Sequence, residues 1–183
     1  MIAPIASTPE YERSVATFLV EAGGNGSPQG LISRPPRHDD SNLGPSLFRA
    51  GLEDATLASL VLPGLYVGRS VLSRVDFSGT DLRLAAFNWS GVLDCRFVGA
   101  DLRGADLRSC RFAGCTFANA DLRGADCRHS SFEHCVFTGA QMAGARLSQT
   151  RLLGFALRRP KGLCPEQAAV VEWFRGSDVP GGG

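Results

Sequence analysis

The sequence predicts an all-β solenoid, four-sided and narrow, flanked by a short helix at each end. Three observations predict it. An apolar residue returns at every fifth position from Leu47 to Leu157, and no member of that series is polar. A small residue, most often Ala, Ser, Thr or Cys, stands two places before most of these centres. Glycine recurs two places after the centre, at Gly64, Gly79, Gly99, Gly104, Gly114, Gly124, Gly139, Gly144 and Gly154. Neither a helix nor a strand has a period of five. An internal repeat this long is settled before ordinary elements are assigned.

Each column has a structural reason. The large centre fills the middle of a tube, and the small residue lets the wall pass close by. Glycine suits a corner where the chain turns sharply. A twenty-residue superperiod lies over the five-residue one. Phe77, Phe97, Phe117 and Phe137 share it, as do Leu62, Leu82, Leu102, Leu122 and Met142, and Cys95, Cys115 and Cys135. Four repeats then make one square turn, and equivalent residues lie about 4.8 Å apart, for a solenoid of roughly 27 Å.

The other positions are polar. Asp81, Asp101 and Asp121 stand beside Arg83, Arg103 and Arg123 on one side, and Asp106 and Asp126 beside Arg108 and Arg128 on the next. A charge could not be solvated inside so thin a core, so these rows point outward.

The units Ala100-Asp101-Leu102-Arg103-Gly104, Ala105-Asp106-Leu107-Arg108-Ser109, Ala120-Asp121-Leu122-Arg123-Gly124 and Ala125-Asp126-Cys127-Arg128-His129 follow one pattern. It is small, Asp or Asn, Leu or Phe, any, any. In this the chain resembles the pentapeptide repeat family. The resemblance implies a right-handed quadrilateral β-helix over residues 45–159.

Taken in order, residues 1–24 form an N-terminal helical segment. Thr8-Pro9-Glu10 reads as a helix start, with a cap, a first-turn proline and an acid at the positive end. Tyr11, Val15, Phe18, Leu19 and Ala22 follow at helical spacing, and Gly23-Gly24 stops the helix. It either plugs an end of the solenoid or meets a partner. Residues 25–44, rich in Gly, Ser, Pro and Asp, read as a flexible linker. In the first turns Val61 and Tyr66 put apolar side chains in outward positions, as a helix seat or a contact patch. Pro63 lacks a ladder donor and belongs at a corner. Trp89 falls at an outward corner, either an exposed anchor or a locally covered ring.

Residues 160–183 form a C-terminal capping segment. Its helix starts at Pro165 and runs through Ala168, Val171, Trp173 and Phe174 to Gly176. Covering the open sheet edge is a physical need. In the resembling family such a helix often also builds a head-to-head dimer, which makes Val171, Trp173 and Phe174 candidate interface residues.

Composition narrows the function classes. The 183 residues carry a formal net charge of +1, and residues 45–159 hold 14 Arg against 10 Asp and Glu. That is mildly basic and interspersed, unlike a nucleic-acid-binding block. No apolar run reaches membrane-spanning length and no secretory signal opens the chain, so a cytoplasmic protein is expected. Of six Cys, Cys95, Cys110, Cys115 and Cys135 occupy small inward slots and are expected as reduced, buried thiols. Cys135 should face inward while His129 and His134 face outward, and their spacing does not match a closed zinc pattern, so no metal is expected. A filled tube offers no pocket for catalysis, and neither catalytic residues nor a cofactor are expected.

The expected function is non-enzymatic binding of a macromolecule. Some members of the resembling family bind DNA gyrase or related type II topoisomerases and protect them from quinolones or natural poisons, through a rod resembling duplex DNA. That resemblance makes Asp81, Asp101, Asp121, Asp106 and Asp126 candidate contacts; their outward positions make Trp89 and Tyr66 aromatic candidates. The mixed charge of the tract equally fits a general protein-interaction scaffold, and a basic region near Arg146, Arg151, Arg158, Arg159 and Lys161 leaves nucleic acid as a third reading.

Overall fold

The computed structural model describes residues 8–24, 45–153, 162, 164–169 and 171–174. Linker 25–44, the repeat centred on Leu157, Arg158, Arg159, Lys161 and the terminal glycines lie outside the described residues.

Helix α1 spans Pro9–Gly24. The solenoid follows with β1 (Ser46–Phe48), β2 (Gly51–Glu53), β3 (Tyr66–Gly68), β4 (Val71–Ser73), β5 (Gly91–Leu93), β6 (Arg111–Ala113), β7 (Ser131–Glu133) and β8 (Thr150–Leu153). Helix α2 (Pro165–Ala169) and strand β9 (Val171–Phe174) close the described chain. All pairing is parallel, and within the coils every partner lies twenty residues on. On one side Leu52, Leu72, Val92, Phe112, Phe132 and Leu152 stand in line. The other sides keep the same offset through single bridges, such as Thr56 to Asp76, Val61 to Asp81 and Ala86 to Asp106. The tube therefore has a Leu47 side, a Leu52 side, a Leu57 side and a Leu62 side, in chain order. The Leu52 side carries a seven-stranded sheet.

A square turn every five residues needs a special backbone at the corner. Every fifth residue from Arg49 to Gln149 has a positive φ, between 51° and 75°. Thirteen of these are not glycine, which explains why the glycine column has gaps, and none is β-branched, the type for which that conformation is most strained. Leu62-Pro63-Gly64-Leu65 shows the local logic. Proline presets the first central dihedral, Gly64 takes φ 70°, and the Leu65 N–H donates to the Leu62 carbonyl at 3.1 Å.

The interior is lined by buried apolar side chains from all four sides. Phe77, Phe97, Phe117 and Phe137 stack in one column, with centroids 5.0, 4.9 and 4.9 Å apart and planes within 8° of parallel. Phe112 and Phe132 form a second stack at 4.8 Å and meet the first edge-on. Such pairs add about 0.5–1.5 kcal/mol each beyond area burial. The small inward column is satisfied where it is polar. Thr80 Oγ1 donates to the Leu57 carbonyl at 2.7 Å, Thr150 Oγ1 to Cys127 at 2.7 Å, and Ser90 Oγ to Val67 at 3.2 Å. Cys95, Cys110, Cys115, Cys127 and Cys135 are buried and free, and Cys164 is exposed and free.

Helix α1 starts as its sequence predicts: Thr8 Oγ1 accepts the Tyr11 N–H at 3.2 Å. It docks through Phe18, which is 1% exposed, with Val15 packed beside it. Ser14, not Leu19, completes the buried stripe, and Leu19 is exposed. The hydroxyl is buried because Ser14 Oγ accepts the Val61 N–H at 2.9 Å. Among the two readings of Val61, the helix seat is the one observed.

The C-terminal segment differs from expectation. The helix from Pro165 ends at Ala169, and Val171, Trp173 and Phe174 lie in strand β9, which pairs in parallel with β8. Thr150 faces Val171 and Leu152 faces Trp173, so the offset becomes twenty-one residues. The β-branched and aromatic content of Val171–Phe174 favours a strand, and the open edge of β8 supplies the hydrogen-bonding partner.

Candidate interaction surfaces

Two sides of the rod carry a charge ladder built from the repeat itself. Asp in the place before the centre bends back on its own turn: Asp81 Oδ1 accepts the Arg83 N–H at 3.1 Å, and Asp121 Oδ1 the Arg123 N–H at 3.1 Å. The side chain of the same Arg then closes on the same carboxylate. Arg83, Arg103 and Arg123 reach Asp81, Asp101 and Asp121 at 2.7, 2.6 and 2.6 Å. Arg108 and Arg128 reach Asp106 and Asp126, both at 2.7 Å. Each coil also touches the next, with Arg83 3.8 Å from Asp101 and Arg103 3.8 Å from Asp121.

These pairs set the electrostatics. Hydrogen bonding from Arg123 holds the Asp121 carboxyl below its ordinary range. At Asp106 burial pushes the other way, but hydrogen bonds from Arg108 and Asn88 outweigh it and its pKa is also lowered. The ladder thus stays ionised and nearly self-neutral. Individually, exposed pairs of this kind contribute about 0–1 kcal/mol.

The other two sides are poorer in charge. On the Leu52 side Val71 is 52% exposed, and on the Leu57 side Val136 is 46% exposed. Trp89, at the corner between the Leu47 and Leu52 sides, is 69% exposed at φ 60°. Tyr66 is half-buried and stacks on Phe48 at 6.4 Å. The structure therefore keeps Asp81, Asp101 and Asp121 apart from Asp106 and Asp126 on adjoining sides, and puts Trp89 on neither ladder. His129 and His134 take corner positions with φ 62° and 51°, and Cys135 is buried inside. Sequence reasoning missed Ser14 and Gln167, which bond to the end coils; helical spacing alone marks neither.

Fold and surface together define a parallel four-sided β-helix with Asp–Arg ladders on two adjoining sides. The family model for pentapeptide repeats matches residues 95–126 and 115–153 of the repeat region, in eight copies. No curated protein sequence matches the chain. Among solved structures, HetL, a pentapeptide repeat protein involved in heterocyst differentiation regulation from the cyanobacterium Nostoc sp. strain PCC 7120, is 24% identical with a TM-score of 0.56. That likeness shows the fold. It covers 58% of this chain and 45% of HetL, so the chain spans less than half of that protein. A pentapeptide repeat protein from the Arabidopsis thaliana thylakoid lumen is 23% identical with a TM-score of 0.43, covering 64% of this chain and 81% of that one. QnrB1, a plasmid-mediated fluoroquinolone resistance protein, is 21% identical with a TM-score of 0.37, covering 57% and 59%. No helix among the described residues is long and apolar enough to cross a membrane.

Proposed function

We propose that this chain is a non-enzymatic rod that binds a protein partner through its sides. The observation that carries the reading is the self-paired Asp–Arg ladder over a filled interior. Side chains already neutralised by their neighbours give register and specificity at an interface more than long-range attraction. Exposed apolar groups on the remaining sides supply contact area.

Protection of DNA gyrase or a related topoisomerase is the finer form of this reading, and the family resemblance supports it. On this surface it would work by direct contact with the enzyme or its drug complex. Duplex mimicry needs a net acidic face, and here Asp81, Asp101, Asp121, Asp106 and Asp126 each hold an arginine. The reading places the protein in the cytoplasm as a homodimer joined near Val171, Trp173 and Phe174.

The test is gyrase supercoiling with and without a quinolone, titrated with the rod. Protection or inhibition at micromolar protein supports the topoisomerase form, and neither effect removes it. The broader reading is tested by photo-crosslinking from Arg103 and Val71 positions in cells. A discrete protein adduct from either face supports it; adducts with nucleic acid alone, or none, would sink it.

A further inference from the structure

The corner between the Leu47 and Leu52 sides is the place where the charge balance of the rod fails. The corner positions, taken every twenty residues, run Arg49, Arg69, Trp89, Ser109, His129 and Gln149. No carboxylate occupies them, and none occupies the columns on either side, positions 48 to 148 and 51 to 151 at the same interval. Elsewhere the arginines of the coils are consumed by carboxylates, as at Arg74, Arg83, Arg103, Arg111 and Arg123. Arg69 makes no ion pair among the described residues, and Arg49 lies only over the Phe48 ring at 5.3 Å. Two cations without carboxylates thus sit one and two coils below Trp89, about 5 and 10 Å away by strand spacing.

Trp89 is costly where it stands. A left-handed corner is unfavourable for a bulky residue, and most of the ring meets water. Beside it the wall recedes. A side chain at Gly91 would meet nothing within 4 Å, and Gly91 lies directly above the exposed Val71. The result is a shelf with an indole at its edge, an apolar floor at Val71 and two arginines below.

We infer that this corner docks an extended, acidic segment of a protein partner, with an apolar side chain on the Gly91 shelf against Trp89 and a carboxylate on Arg69 or Arg49. The 10 Å from Arg49 to Trp89 matches about three residues of extended chain. Charge complementarity selects the acidic residue, and the shelf selects an apolar one. Single-stranded nucleic acid is the less favoured occupant: one indole is a short stacking platform, and the higher arginines of the strip are paired sideways, as Arg111 is to Glu133 at 2.7 Å. This inference rests on the protein-binding reading above and names the face that does the binding.

The probe is a fluorescein-labelled dodecapeptide with two Glu three residues from a Leu, read by anisotropy against the full chain. Controls replace Glu by Lys or Leu by Ser, and fluorescein-dT12 tests nucleic acid. Trp89→Asn and Arg69→Asn are the decisive variants, because Asn tolerates the left-handed corner and the rod keeps its melting temperature. We expect saturable binding that each variant weakens at least about tenfold, that both control peptides lose, and that Arg96→Gln on the Leu57 side, beside Asp76 at 3.8 Å, leaves unchanged. No saturable binding up to about 1 mM, equal binding by Trp89→Asn, or tighter Trp89-dependent binding of dT12 would overturn it. Failure here with crosslinks still arising from the Arg103 face would dismiss this corner and leave the protein-binding rod standing.

Discussion

The Ser14 hydroxyl accepts the Val61 N–H at 2.9 Å, doing from a helix what a coil carbonyl does elsewhere in the tube. One coil on, Asp81 N–H donates to the Leu60 carbonyl at 2.9 Å, and Asp101 N–H to Thr80 at 3.0 Å. At the far end the relation is mirrored. Ala125 receives the Arg146 N–H at 2.8 Å, whereas the Ala145 carbonyl receives Gln167 Nε2 at 2.6 Å. Gln167 is fixed for this by a reciprocal cap on α2: its N–H reaches Cys164 Sγ at 3.4 Å, and its Oε1 accepts the Cys164 N–H at 2.9 Å. Each terminal segment thus lends one side chain to an open ladder edge.

Ser14→Ala should destabilise the rod by about 1–3 kcal/mol, since it leaves a partly buried N–H without its acceptor. Urea unfolding gives the loss, and amide exchange at Val61 should quicken more than at Asp101. Unchanged exchange at Val61 would remove Ser14 from the role.

Phe117→Ala should cost about 3–5 kcal/mol, because four rings lose a neighbour at once. Phe137→Ala, at the end of the stack, should cost less. Equal midpoints in a denaturant titration would contradict a continuous column.

Corner conformation predicts opposite signs at one exposed site. Gln149 has φ 58°. Gln149→Gly should stabilise by about 0.5–1 kcal/mol and Gln149→Val should destabilise by more than that. Thermal melts of the three proteins should rank in that order.

Acid should weaken the ladder. The Asp101, Asp106, Asp121 and Asp126 carboxyls titrate below the ordinary aspartate value, and Glu133 below the ordinary glutamate value. The unfolded chain therefore binds protons first. The stability these groups contribute is full above about pH 4.5 and is lost as pH falls through their folded values. Arg123→Gln should flatten that part of the curve, measured as the urea midpoint between pH 6 and pH 2.

Thiol reactivity should separate the cysteines. Burial pushes the Cys110 thiol up to about 12, and Cys115 also sits at about 12, raised first by its Cys135 neighbour. At pH 8 iodoacetamide should modify Cys164 in the folded protein and all six after denaturation.

What the sequence determines by itself follows from periodicity. The tube, its four sides, the phenylalanine column from Phe77 to Phe137 and the two Asp–Arg sides all repeat at fixed intervals, and a translational lattice turns interval directly into position. Thr8 and Pro9 likewise act on their own helix, so their meaning is local. Three things needed the folded molecule. Val171–Phe174 became a strand because β8 offered an unpaired edge, which no local pattern announces. Ser14 and Gln167 found Val61 and Ala145 across long stretches of chain, through single contacts that do not recur. The uncompensated corner of Arg69 and Trp89 appears only when residues twenty apart are set side by side and each carboxylate is seen to choose its arginine, because charge balance is a property of neighbours in space.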